Sequence, residues 1–130
     1  LCANNYPCWK YMDKNLDEIV TSDRTAKDGS YAIRVRDRIE ADEELKNISV
    51  KQLKQQNISG ITLEEREIYE LKFFKETGKH LDIINWTFCS GSRFDYGNMP
   101  YVYWSRGKFH IHWCLADYGL DYLRSRQVVS

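Results

Sequence analysis

The spacing of apolar residues changes character twice along this chain. Residues 1 to 12 mix aromatic, Cys and Pro positions without a period and read as an ordered, irregular lead-in. In "NLDEIVTS", Leu16, Ile19 and Val20 fall on one side of a short helix. "AKDGS" is a turn signal. "YAIRVRDRI" then alternates: Tyr31, Ile33, Val35 and Ile39 share one face, and Arg34, Arg36 and Arg38 the other. A period of two predicts a half-buried strand. Its basic row reads as a solvated face, because acidic residues follow at once in "EADEELK".

The period then lengthens. "SVKQLKQQN" predicts a short helix with Ser49 as N-cap. "GITLEEREIYELKFFKETGKH" predicts a longer one. Thr62 and Glu65 form a capping box, Glu64, Glu65 and Glu67 suit the positive end of the helix dipole, and Gly78 ends the helix. Ile68, Leu71 and Phe74 make a stripe, with Phe73 beside it, expected to face the core. His80, just past the helix, reads as structural.

After His80 no long helical pattern recurs, and residues 86 to 130 hold eleven of the eighteen aromatic residues. A helical, charged first part followed by a β-rich, aromatic second part predicts an α+β fold. The expectation is one domain, residues 1–130. Helices occupy the first two-thirds, and an antiparallel β-hairpin with long loops occupies the C-terminal third. Residues 1–85 form a scaffold and residues 86–130 a ligand-display segment.

The hairpin is read from "YVYW" and "FHIHWC", joined through "SRGK". Side chains alternate across a strand. Val102, Trp104, Phe109, Ile111 and Trp113 then share a core face, while Tyr101, Tyr103, His110, His112 and Cys114 project from the other. Tyr and His are large, partly polar and cheap to immobilise, which suits a recognition surface. The flanking loops bring similar candidates: Phe94, Asp95, Tyr96 and Asn98 before, and Asp117, Tyr118, Asp121 and Tyr122 after. The plainer alternative makes these aromatics the rim of a small core.

Composition narrows the function classes. The formal net charge is zero, which argues against a nucleic-acid partner. No apolar run approaches the roughly 18 residues of a membrane span, and the first residues show no signal peptide. Cys2, Cys8, Cys89 and Cys114 are too scattered for a disulfide scaffold, so reduced thiols in a cytoplasm-like compartment are expected. The glycosylation triplets at Asn47, Asn57 and Asn85 then read as chance matches.

A zinc-binding alternative rests on His110, His112 and Cys114, but the chain has no paired Cys-x-x-Cys to support it. A Cys–His nucleophile pair is conceivable, though nothing local specifies one, and "SGSR" is too short for a phosphate loop. Arg93, Arg124 and Arg126 suit either an anionic ligand or buried hydrogen bonds to backbone carbonyls. The expectation is a non-enzymatic binding protein with no cofactor and no metal. A small phage-encoded inhibitor of one host protein is a further alternative.

The order of parts after residue 85 is "NWTFCSGSR", a polar and aromatic loop, "VYW", the "RGK" turn, "FHIHW", a second such loop and "LRSRQVVS". It resembles bacterial and phage proteins with a C-type lectin-like fold, whose ends read like Trp-x-x-x-Ser-Arg and then Arg-x-Val-Val-Ser. More narrowly, it resembles the variable proteins of diversity-generating retroelements. The resemblance implies that a mutagenised template rewrites Asn-type codons into Tyr, Asp, Ser, His, Phe, Cys, Leu or Gly at display positions. It also implies that Gly91, Ser92, Arg93, Val102, Trp104, Trp113, Leu123, Arg124 and Arg126 are fixed framework. The partner would be a protein or a cell-surface ligand, met in the cytoplasm or on a phage particle, and the exposed aromatics could also serve an oligomer. The chain lacks the disulfides and the Glu-Pro-Asn-type calcium motif of vertebrate lectins, so calcium-dependent sugar binding is not implied.

Overall fold

The computed structural model describes residues 7–10, 20–94, 98–115, 119 and 122–129. Within them the chain is a mixed α+β structure. The strands are β1 (Cys8–Lys10), β2 (Thr21–Ser22), β3 (Trp86–Phe88), β4 (Ser92–Arg93), β5 (Met99–Ser105), β6 (Lys108–Cys114) and β7 (Leu123–Ser125). The helices are α1 (Val50–Gln55) and α2 (Leu63–Thr77), with short 3-10 turns at Ala26–Asp28 and Glu43–Leu45. A five-stranded sheet runs in the order β1-β6-β5-β3-β7, and β2 pairs with β4 in a small second sheet. The helices-first order therefore holds only in part, because β1 and β2 precede both helices.

Both helices begin where the capping chemistry predicts. The Ser49 hydroxyl accepts from Gln52 N–H at 3.2 Å, and Gln52 Oε1 accepts from Ser49 N–H at 2.9 Å. Thr62 and Glu65 make the same reciprocal pair at 3.1 and 3.0 Å. Two N–H groups that the first turn cannot satisfy are thereby paired in each helix. Gly78 ends α2 at φ 71°, a left-handed conformation.

The inward face of α2 differs from the predicted stripe. Ile68 is 57% exposed and falls outside it, Leu71 and Phe74 pack, partly buried, against the core as expected, and Leu63, Glu65, Arg66 and Glu70 are buried. Apolar periodicity misplaces this face because two of its central positions are charged residues that pair with each other.

Residues 31–39 are not a strand. Only Arg34 bridges, to Val129. The side chains and carbonyls of this segment are committed elsewhere: Tyr31 Oη donates to Glu65, Arg36 to Asp42 and Arg38 to Glu44, while the Arg38 and Ile39 carbonyls accept from Arg126. Tyr31 and Ile39 remain 42% and 41% exposed, so no face is buried to hold the segment in a sheet. Of the helix expected in 15–22, residues 15–19 lie outside the described residues, and Thr21–Ser22 form β2.

The large sheet has a core on each side. Val102, Phe109 and Ile111 pack with Leu63, Cys89 and Phe94 on one face, against α2. Phe88, Met99 and Leu123 pack with Val50 of α1 on the other. Trp86, Tyr101 and Cys114 pack, partly buried, against this second cluster. Among the described residues, no helix is long and apolar enough to cross a membrane.

Candidate functional site

The hairpin forms with the register its alternation implies. Tyr101 pairs with His112, Val102 with Ile111, Tyr103 with His110 and Trp104 with Phe109. Arg106 at φ 52° and Gly107 at φ 74° make the two-residue turn, the paired positive φ angles that match strand twist. Val102 and Phe109 are fully buried, so the core face is fixed, and the opposite side chains must stand on the other face.

On that face Tyr101, Tyr103, His110 and His112 are half-buried and align with Trp86 of β3. The Tyr103 ring lies between Trp86, with centroids 4.9 Å apart and planes at 21°, and His110, at 4.8 Å and 5°. The Tyr101 ring lies between Trp86 at 5.0 Å and His112 at 5.3 Å. Centroid spacings near the inter-strand distance, with nearly parallel planes, mean that rings on adjacent strands stand side by side, face against face. Both tyrosines therefore have their ring faces covered by neighbouring rings, and Tyr101 also packs against the second core cluster. Tyr103 Oη and His112 Nε2 are 3.2 Å apart, and His110 Nε2 lies 3.0 Å from the Ser105 carbonyl. Burial, and then the neighbouring His110, lower the His112 pKa, while burial raises that of Tyr103. Both shifts favour the neutral forms of His112 and Tyr103.

Other expected site residues are distributed less simply. Phe94 is a correction: it is 8% exposed and packs with Leu63, Cys89 and Val102, because an aromatic ring directly after β4 gains more from burial in the adjacent core than from display in water. Asn98 is half-buried, and its carbonyl accepts from Phe94 N–H at 2.7 Å, closing the loop between β4 and β5. Tyr122 is 41% exposed and meets Trp86 edge-on at 4.6 Å, which extends the array. Cys114 packs against the second core cluster, and burial pushes its pKa up to about 12. Asp95, Tyr96, Asp117, Tyr118 and Asp121 lie outside the described residues. Among the described residues, no group of three or more His, Cys, Asp or Glu could hold a metal ion, so His110, His112 and Cys114 are not gathered as ligands. Burial also raises the pKa of Cys89, which makes it a poor thiolate source.

Sequence reasoning missed the buried charge cluster beneath the hairpin. Asp82 Oδ2 accepts from Arg66 Nε and Nη2 at 3.0 and 2.8 Å, and Oδ1 accepts from Arg126 Nη2 at 2.9 Å and from Ala41 N–H at 3.0 Å. The Thr87 hydroxyl also donates to Asp82. Glu70 takes Arg66 Nη1 at 2.9 Å, and its other oxygen lies 2.8 Å from His80 Nδ1. Burial works against the Arg66 charge, yet the Asp82 and Glu70 carboxylates outweigh it and raise its pKa. Two guanidinium groups and two carboxylates balance, so the cluster holds elements together and offers no free charge to a ligand. His80 lies stacked between Phe74 and Trp104, which ties this cluster to the hairpin. Arg126 therefore takes the backbone-bonding role weighed for it, and Arg93 bridges to Asp23 at 2.8 Å. No local motif signals the cluster, because its members come from five separate segments.

Comparison of the chain with protein-family profiles, with characterised proteins and with solved structures finds no match.

Proposed function

We propose that this protein is a non-enzymatic binding module that displays a diversified aromatic and polar surface on a C-type lectin-like scaffold, as a variable protein of a diversity-generating retroelement. One observation carries the reading. Trp86 of β3 with Tyr101, Tyr103, His110 and His112 of the hairpin forms an ordered, half-buried array on one sheet face, while Val102, Phe109 and Ile111 are buried on the other. Such an array is costly to leave in water unless a partner covers it. Its side chains also sit where exchange would leave Val102, Phe109 and Ile111 in place.

Sequencing of the surrounding DNA tests the retroelement reading. A reverse-transcriptase gene is expected nearby, with a near-copy of the codons for residues 90–126. The copy should differ only at adenines, and the differences should include the codons of Tyr101, Tyr103, His110 and His112. A locus with no such copy overturns the retroelement reading.

A further inference from the structure

At the hairpin tip the aromatic array ends in a cleft of about 430 Å³. Its walls include Ile83, Ile84, Trp86, Tyr103 and His110, with Arg106 at the rim. Two features set it apart from an ordinary surface dent. Ile83 and Ile84 are 57% and 75% exposed, yet their loop is not loose. The Glu40 carboxylate accepts from the N–H groups of Ile83, Ile84 and Asn85 at 3.2, 3.2 and 2.7 Å, and from Asn85 Nδ2 at 3.2 Å. Two exposed aliphatic side chains thus project from a pinned backbone next to half-buried aromatic rings.

The second feature is charge. The one acidic residue lining the cleft is Asp82, and both its oxygens are engaged by Arg66 and Arg126. Glu40 is occupied behind the wall. Arg106 and Lys108 are exposed at the tip, and among the described residues neither carries a salt bridge. The cleft is therefore of mixed polarity, with an aliphatic patch at Ile83 and Ile84 and a cationic group, Arg106, at the rim.

We infer that this cleft docks a protein partner through an apolar side chain seated against Ile83, Ile84 and Trp86, with an adjacent carboxylate paired to Arg106. The inference rests on reading the aromatic face as a docking surface, and it adds that surface's anchor point and the chemistry of its partner. Aliphatic walls select an apolar side chain, and the rigid loop means little ordering entropy is lost on binding. An Arg at a rim pairs with a carboxylate through two parallel hydrogen bonds, which fixes orientation.

Selection of a phage-displayed random peptide library on the intact protein tests this. Enriched peptides are expected to carry Asp or Glu within a residue or two of Leu, Ile or Phe. Arg106→Glu and, separately, Ile84→Ser should each weaken them about tenfold or more. Both positions are exposed, and thermal unfolding of each variant should match the parent. Peptides that are lost with Tyr103→Ala and His112→Ala but indifferent to Arg106 and Ile84 would overturn the cleft and leave the aromatic face standing. Peptides indifferent to all four positions, or no enrichment at all, would overturn both.

Discussion

Asp82 adopts φ 53°, a conformation uncommon outside Gly, Asn and Asp, and from it reaches two buried guanidinium groups. Its position is over-determined. Its N–H donates to the Ile39 carbonyl, its own carbonyl accepts from Trp104 N–H, and its carboxylate meets Arg66, Arg126, Thr87 and Ala41. Asp82→Asn keeps the shape and removes the charge, leaving Arg126 buried without a carboxylate. Breaking a buried pair this way costs about 3 to 5 kcal/mol. Urea unfolding should show that loss, and a change below about 1 kcal/mol, the range of exposed pairs, would mean the cluster contributes little. The exposed pair of Arg38 and Glu44 has the same 2.8 Å geometry, but water screens it, and Glu44→Gln should leave the midpoint unmoved. At this scale the sequence was least legible. Asp82, Arg66 and Arg126 are 16 and 44 positions apart, and nothing in their local surroundings joins them.

At the scale of elements, legibility tracked how local the determining contacts are. The caps of α1 and α2 and the turn of the hairpin depend on residues within four positions, and all were readable. Gly78 gives a direct check. It sits at φ 71° with nothing within 4 Å of an added Cβ, so Gly78→Ala meets conformational strain alone. The expected loss is about 1 kcal/mol, and thermal melts of the two proteins would measure it. No loss would mean that the left-handed cap does not stabilise α2. The segment 31–39 shows the opposite case. Its alternation is as regular as that of the hairpin, but Tyr31 reaches Glu65 on α2, Arg36 and Arg38 turn back onto Asp42 and Glu44 six residues on, and its carbonyls serve Arg126. A period of two reports an extended chain; a strand also needs a neighbour with a free edge. The buried face of α2 escaped for a related reason, since Arg66 and Glu70 are polar in sequence and interior in space.

Across the whole molecule, the expected split into a scaffold of residues 1–85 and a display segment of residues 86–130 is crossed by pairing. β1 lies parallel to β6, with Cys8 opposite Phe109, and β2 pairs with β4. Leu63 of α2 completes the core under the hairpin, and Val50 of α1 the core on its other face. A peptide of residues 86–130 alone should therefore show a largely disordered circular dichroism spectrum, since the hairpin would lose both cores. A cooperative thermal transition in that fragment would show that the hairpin is self-sufficient. The sequence by itself determined where α1, α2 and the hairpin lie, where the helices are capped, and which hairpin residues face together, because these depend on neighbours a few bonds away. Only the tertiary structure decided that Trp86 and Tyr122 join the aromatic array, that Phe94 leaves it for the core, and that four charged groups meet beneath it. Those outcomes depend on which distant segments pack against each other, and no local period encodes that.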